Sequence, residues 1–352
     1  MKSVPFSLEE LKTLSETYPT PFYIYDEKAI QENLEKLYNA FSRNQWFKNY
    51  FAVKALPNPH ILQITKEQWW WADCSSLAEL ILSEKIGIVG GDIMFTSNNT
   101  PVEEFQKAHK LWTIINFDDI THIKFYENSV WELPELVSCR FNPGALQSWN
   151  AFIGEPVEAK FGFTKEQLFE GYHYCKQQWV KRFWIHTMVV SNELDVDHLL
   201  QTVKILFQVL QELYQQEWIE FEFINIGGGL WIPYRPDQVA LDIEKVADWI
   251  EKLYQEYIIN SWHPETKIYM ESWRYITWPY GYLITKVRHI KNTYKNYLGV
   301  DASMSNLMRP GMYDAYHHIT VLWRNGSEKI YDVTGSLLSL IHISEPTRRH
   351  LI

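Results

Sequence analysis

Tyr50-Phe-Ala-Val-Lys-Ala-Leu56 is an apolar run interrupted once, by Lys54. A continuous apolar strand of this kind is buried on both faces, the condition of strands in a parallel sheet covered by helices. A cation near its end needs a partner, a path to solvent or a covalent use. Lysine loses its proton readily when desolvated, and the neutral amine is what a Schiff base requires. The plainer alternative is a strand-end lysine whose ammonium snorkels into solvent.

The same pattern recurs along the chain. Apolar periodicity predicts strands near 50–55, 71–75, 92–97, 113–117, 136–142, 183–188, 221–226 and 267–272. Helical periodicity fills 58–68, 76–86, 101–110, 119–127, 164–178, 195–217 and 237–257, with a capping box at Thr164-Lys-Glu-Gln167. Eight strands at β/α spacing predict a closed (β/α)8 barrel, with an open doubly wound sheet as the alternative. A short helix from the capping box Ser7-Leu-Glu-Glu10 to about 17, a strand at 22–25 and a helix at 27–41 precede it. From about 275 the helical period gives way to segments that read as antiparallel strands, at 282–290, 297–300, 319–323 and 329–333. The expected organisation is an α/β barrel over 27–274 and a C-terminal all-β domain built from 1–26 plus 275–337.

The 352 residues are 46% hydrophobic, ample for a large core, and carry a formal charge of −10. A negative balance argues against nucleic acid or an anionic membrane as partner, since either needs a basic face. No apolar segment approaches the roughly 18 residues that cross a bilayer. Cys74, Cys139 and Cys175 lack CxxC spacing and read as reduced thiols of a cytoplasmic protein, with neither disulfides nor a metal site.

Reactive side chains of such barrels sit at the C-terminal ends of the strands. Here those ends carry Lys54, Asp73, Ser97 with Asn98, Asp118, Arg140, His186, Gly227-Gly-Gly229 and Glu271. Polar residues terminate strands in many proteins, but a lysine, an arginine, a histidine and a glutamate facing one mouth point to a shared site. Three glycines after strand seven expose successive N–H groups where phosphates bind in these barrels. Lysine, phosphate cradle and carboxylate together fit pyridoxal phosphate, with Lys54 on the aldehyde, the glycines on the phosphate and Glu271 on the ring nitrogen.

At these positions the chain resembles the fold-type III pyridoxal-phosphate decarboxylases, in particular the diaminopimelate decarboxylase family. The likeness rests on Tyr50-Phe-Ala-Val-Lys-Ala-Leu-Pro-Asn-Pro59, Ala72-Asp-Cys-Ser-Ser-Leu-Ala-Glu79, Ile226-Gly-Gly-Gly229, Glu271-Ser-Trp-Arg274 and Asp301-Ala-Ser-Met-Ser-Asn-Leu-Met-Arg-Pro310 with Tyr313. It runs from about 20 to 337. The resemblance implies pyridoxal 5′-phosphate as cofactor and decarboxylation of meso-2,6-diaminopimelate to L-lysine, in a homodimer with shared active sites. It assigns catalysis to Lys54, His186 and Glu271, with His186 stacked on the cofactor ring. Asp73, Arg140, Ser191, Gly227, Gly228, Gly229 and Arg274 would join them in holding the cofactor. Arg274, Arg309 and Tyr313 would hold the distal amino-acid end of the substrate, where arginine suits a carboxylate. A structural turn about Pro310 is the alternative for Arg309 and Tyr313, and a satisfied core histidine for His186. Arginine, ornithine or carboxynorspermidine decarboxylation, a cofactor-free Schiff-base aldolase and a non-catalytic cofactor-binding relative are the competing functions.

Two features depart from the family pattern. Tryptophan stands where glycine is expected, at Trp231, Trp273 and Trp278, and similarly at Trp71, Trp112, Trp149, Trp179 and Trp184. The chain holds 15 glycines and 16 tryptophans, a low and a high count. The expectation is a codon that the source reads as glycine and that is written here as tryptophan. Residues 338–352 do not continue the family pattern and read as a non-native tail. The corresponding expectation is a truncated β domain, and a chain that binds cofactor and partner weakly and turns over little or nothing.

Overall fold

The computed structural model describes residues 4–44, 46–144, 156–188, 196–235, 237–261, 266–313, 315–322, 328–337 and 350–351. After helix α1 (Leu8–Thr17), strand β1 (Phe22–Tyr25) and helix α2 (Glu27–Ala40), eight strands alternate with helices. They are β2 (Lys48–Ala52), β3 (Trp71–Cys74), β4 (Ile93–Ser97), β5 (Ile114–Phe117), β6 (Leu136–Phe141), β7 (Arg182–Thr187), β8 (Phe221–Asn225) and β9 (Lys267–Met270). Each pairs in parallel with the next, and β9 pairs with β2 through Lys48 opposite Tyr269, so the sheet closes. The connecting helices are α3 (Pro59–Glu67), α4 (Leu77–Lys85), α5 (Val102–Lys110), α6 (Ile120–Val130), α7 (Lys165–Gln177), α8 (Val196–Glu217) and α9 (Ile243–Tyr254). This is the (β/α)8 barrel that the strand–helix alternation predicts.

Burial explains the strand composition. The inward side chains Tyr50, Met94, Trp184, Phe223 and Tyr269 fill the barrel interior, with Trp184, Phe223 and Tyr269 stacked in series at 4.6 and 4.3 Å. Outward residues meet the helices, where Leu34, Leu37, Phe105, Ile123, Leu206 and Leu210 are buried. The Tyr172 hydroxyl ties α7 to the sheet, accepting from Cys139 N at 3.1 Å and donating to Trp184 O at 2.6 Å. Such layered filling makes the barrel a packed core with its chemistry confined to the mouth.

The chain divides into two compact units, one of residues 27–232 and 241–279, the other of residues up to 26, 233–240 and from 280 on. In the second unit β1 pairs antiparallel with Gly281–Ile284, and Val287–Asn292 pairs antiparallel with Asn296–Val300. Val300, Ala302 and Val333 form its small core. Three expectations are corrected here. The segment read as one strand over 282–290 breaks at Thr285 and Lys286, where Asp301 accepts from the Thr285 hydroxyl and the Lys286 N–H. Residues 319–322 are not in a strand. Asn296–Val300 pairs with Asp332–Thr334 in parallel rather than antiparallel, because the chain returns through a long crossover instead of a hairpin.

Candidate active site

Strand β2 ends at Ala52, and Lys54 lies in a 3-10 turn over Val53–Ala55 rather than inside the strand. The turn lifts the amine out of the sheet to the C-terminal mouth, where Nζ donates to Ser75 Oγ at 3.0 Å and lies 3.6 Å from Asp73 Oδ2. The Lys54 side chain is 54% exposed while that of Asp73, on β3, is 2% exposed. Asp73 Oδ1 is buried without a hydrogen-bond partner among the described residues. Burial pushes the Asp73 carboxyl well above its ordinary range, with the Lys54 charge pulling the other way. For Lys54, desolvation works downward, but Asp73, Glu271 and Glu79 outweigh it, and the amine sits above its usual value. The neighbouring acidic groups thus oppose the loss of the proton that desolvation favours.

His186 on β7 is buried and fixed at both nitrogens. Asn116 Nδ2 donates to Nδ1 at 2.9 Å, and Nε2 faces Glu271 Oε2 at 3.1 Å. With Nδ1 accepting, Nε2 carries the proton toward Glu271. Asn116 is itself locked, accepting from Ser138 Oγ at 2.7 Å and donating to Thr96 Oγ1 at 3.1 Å. Desolvation raises the Glu271 carboxyl, but His186, Lys54 and Arg140 together pull it below its ordinary value. Glu271 thus stands as a buried anion, one residue beyond β9.

The chain segments around Glu271 are clamped by amides. Asn49 holds Ser272 in both directions, accepting from its N–H at 2.8 Å and donating to its carbonyl at 3.0 Å. Asn225 Oδ1 accepts from Gly227 N at 2.8 Å, and Glu271 N donates to Gly227 O at 3.0 Å. Gly227 and Gly229 have φ of 75° and 90°. A Cβ on Gly227 would lie 2.5 Å from Thr187 O, and one on Gly228 would lie 2.9 Å from Glu271 O. Only glycine fits this loop, which brings bare backbone to the mouth.

Arg140 on β6 pairs with the buried Asp118 at 3.1 Å and donates to Met188 O at 3.0 Å. Arg274 opens a short helix (Arg274–Thr277), its guanidinium 4.3 Å from the Trp273 ring and 5.6 Å from that of Trp278. Lys54, Asp73, His186 and Glu271 are thereby joined through contacts or shared electrostatics, with the glycine loop bonded to the Glu271 backbone. Arg309 and Tyr313 open and close a five-residue helix of the second unit, with the Arg309 guanidinium 5.6 Å from the Tyr234 ring. Ser191 lies outside the described residues, as does Trp149. Sequence reading missed Ser75, Asn116, Asn49 and Asn225. For the three asparagines the available signal was an amide inside an apolar strand, which has to be satisfied somewhere.

Among the described residues no cluster of His, Cys, Asp or Glu is arranged to hold a metal, and no helix is long and apolar enough to cross a membrane. Residues 27–278 match the pyridoxal binding domain of pyridoxal-dependent decarboxylases. Protein TabA of Pseudomonas amygdali pv. tabaci is 39% identical over 93% of this chain and 76% of its own length. Diaminopimelate decarboxylase of Methanothermobacter thermautotrophicus is 32% identical over 92% of this chain and 76% of its own. The crystal structure of diaminopimelate decarboxylase from M. jannaschii with L-lysine superposes with a TM-score of 0.87 at 25% identity, covering 95% of this chain and 80% of that one.

Proposed function

The chain belongs to the pyridoxal-dependent decarboxylases, and on that premise we propose that it removes CO2 from meso-2,6-diaminopimelate to give L-lysine, the last step of lysine biosynthesis. Its cofactor is pyridoxal 5′-phosphate. The residues present fit that group: an amine at the mouth, a buried anion and an orphaned carboxylate oxygen on Asp73, and a loop that admits no Cβ. Bound there, the cofactor supplies a conjugated ring into which the electron pair of the broken C–C bond delocalises.

The chain's own residues have distinct tasks. Lys54, whose amine stands at the mouth beside Ser75 and Asp73, would hold the cofactor's aldehyde. The charges of Asp73, Glu271 and Glu79 favour the ammonium form of Lys54, which would make it a proton donor at the mouth. Glu271 is anionic and favours a protonated ring nitrogen. His186, unable to turn between Asn116 and Glu271, presents a fixed imidazole to the site. Gly227–Gly229 and Arg274 offer N–H groups and positive charge to the phosphate. Arg309 and Tyr313, four residues apart on one helix, are assigned to the distal amino-acid end. In the reaction the Cα–carboxylate bond breaks, CO2 leaves and a proton takes its place on the same carbon.

The observation that carries this reading is the pairing of Lys54 with Asp73 and of His186 with Glu271 at one barrel mouth. The diaminopimelate decarboxylase relatives support the substrate. The identity to TabA favours a second reading, an amino acid that shares the α-carbon chemistry and differs at its distal end. Assay of CO2 release by the cofactor-loaded protein separates them. Release from meso-diaminopimelate, however slow, with L-lysine as product is expected; release only from L-ornithine, L-arginine or another amino acid rejects the substrate. We propose also a homodimeric, cytoplasmic enzyme on the family resemblance, checked for assembly by sedimentation equilibrium.

A further inference from the structure

Among the described residues every non-glycine with positive φ is a tryptophan: Trp69 at 60°, Trp112 at 59°, Trp131 at 69°, Trp179 at 66° and Trp218 at 53°. Tryptophan is 16 of 352 residues, so five out of five does not follow from composition. In the left-handed region the Cβ of an L-residue crowds the following carbonyl oxygen, and a bulky side chain there is an outlier.

All five close helices, and the hydrogen bonds identify the motif. At the end of α3, Trp69 N donates to Lys66 O and Trp70 N to Thr65 O, at 3.0 Å each. At the end of α5, Trp112 N donates to His109 O at 2.9 Å and Thr113 N to Ala108 O at 3.1 Å. At the end of α7, Trp179 N donates to Lys176 O at 3.1 Å and Val180 N to Cys175 O at 3.2 Å. These are paired Schellman bonds, whose left-handed residue is usually glycine. Trp131 and Trp218 make the simpler single bond, to Glu127 O and Tyr214 O. The molecule contains its own control: α4 ends in the same paired motif, with Gly87 N on Glu84 O and Ile88 N on Ser83 O, and there the residue is glycine at φ 76°.

The indoles do not offset the strain by packing. They are between 74% (Trp218) and 89% (Trp131) exposed. We propose that the functional protein carries glycine at positions 69, 112, 131, 179 and 218, the tryptophans standing for a codon that the source organism decodes as glycine. The same reading extends to Trp71 and Trp231, whose indole nitrogens are buried without a partner among the described residues. Trp231 lies two residues beyond Gly229, so this assignment also lengthens the glycine-rich backbone at the mouth.

Tandem mass spectrometry of peptides from the protein purified from its source reads these positions directly. Glycine at 69, 112, 131, 179 and 218 is the expected result, and tryptophan at any of the five overturns the proposal. A recombinant comparison tests the stereochemistry separately: Trp69→Gly, Trp112→Gly, Trp131→Gly, Trp179→Gly and Trp218→Gly combined should raise the apparent Tm. An unchanged or lower Tm counts against it. Neither readout uses activity, so both stand or fall independently of the decarboxylase reading.

Discussion

At the scale of single residues, the site turns on how Lys54 and Asp73 share their environment. Desolvation favours a neutral amine and the surrounding carboxylates favour the ammonium, and the carboxylates win. Removing the nearest one should reverse the balance. Asp73→Asn is expected to lower the Lys54 pKa, enlarge the neutral fraction at pH 8 and speed capture of pyridoxal phosphate, read as growth of visible absorbance in stopped flow; slower capture would show that Asp73 acts by other means. Lys54→Ala should abolish covalent capture and reduce turnover by at least about 10²–10⁴-fold, the usual cost of losing a proton-transfer group. Lys54 and Glu271 were legible because charge at the end of an apolar strand is conspicuous. Asn116 and Ser75 were not, because their partners lie 70 and 21 residues away.

At the scale of elements, the loop after β8 makes the sharpest demand on sequence. Gly227→Ala would set a Cβ 2.5 Å from Thr187 O at a φ of 75°. It should destabilise the fold by at least the roughly 1–2 kcal/mol of a left-handed L-residue, measured by urea unfolding. Gly228→Ala has no φ penalty but presses on Glu271 O at 2.9 Å; it should weaken cofactor binding more than it lowers Tm. All eight barrel strands could be read from apolar runs bounded by turn residues. Their ends were less clear: Val53 and Ala55 are as apolar as the strand before them, yet form the turn that carries Lys54 to the mouth. Pairing in the second unit was illegible because a strand's alternation does not name its partner, as the parallel pairing of Asn296–Val300 with Asp332–Thr334 illustrates.

At the scale of the whole molecule, buried titratable groups set the response to pH. His317 in the second unit is lowered to about 4 by burial and by the neighbouring Arg309. In the unfolded chain it takes up a proton near its ordinary value of about 6.5. Between these values the unfolded state binds more protons, so stability falls as pH drops through that window. Thermal scans should show this loss, and His317→Gln should flatten it. The three cysteines are buried, and burial pushes the Cys175 thiol up to about 12, with Cys74 and Cys139 also raised. All three should resist iodoacetamide at pH 8 until the protein unfolds. The central claim is that the amine of residue 54 carries the cofactor. Borohydride reduction of the pyridoxal-phosphate-loaded protein, followed by peptide mapping, tests it most directly: the account predicts the pyridoxyl adduct on Lys54, and an adduct on another lysine, or none, would contradict it.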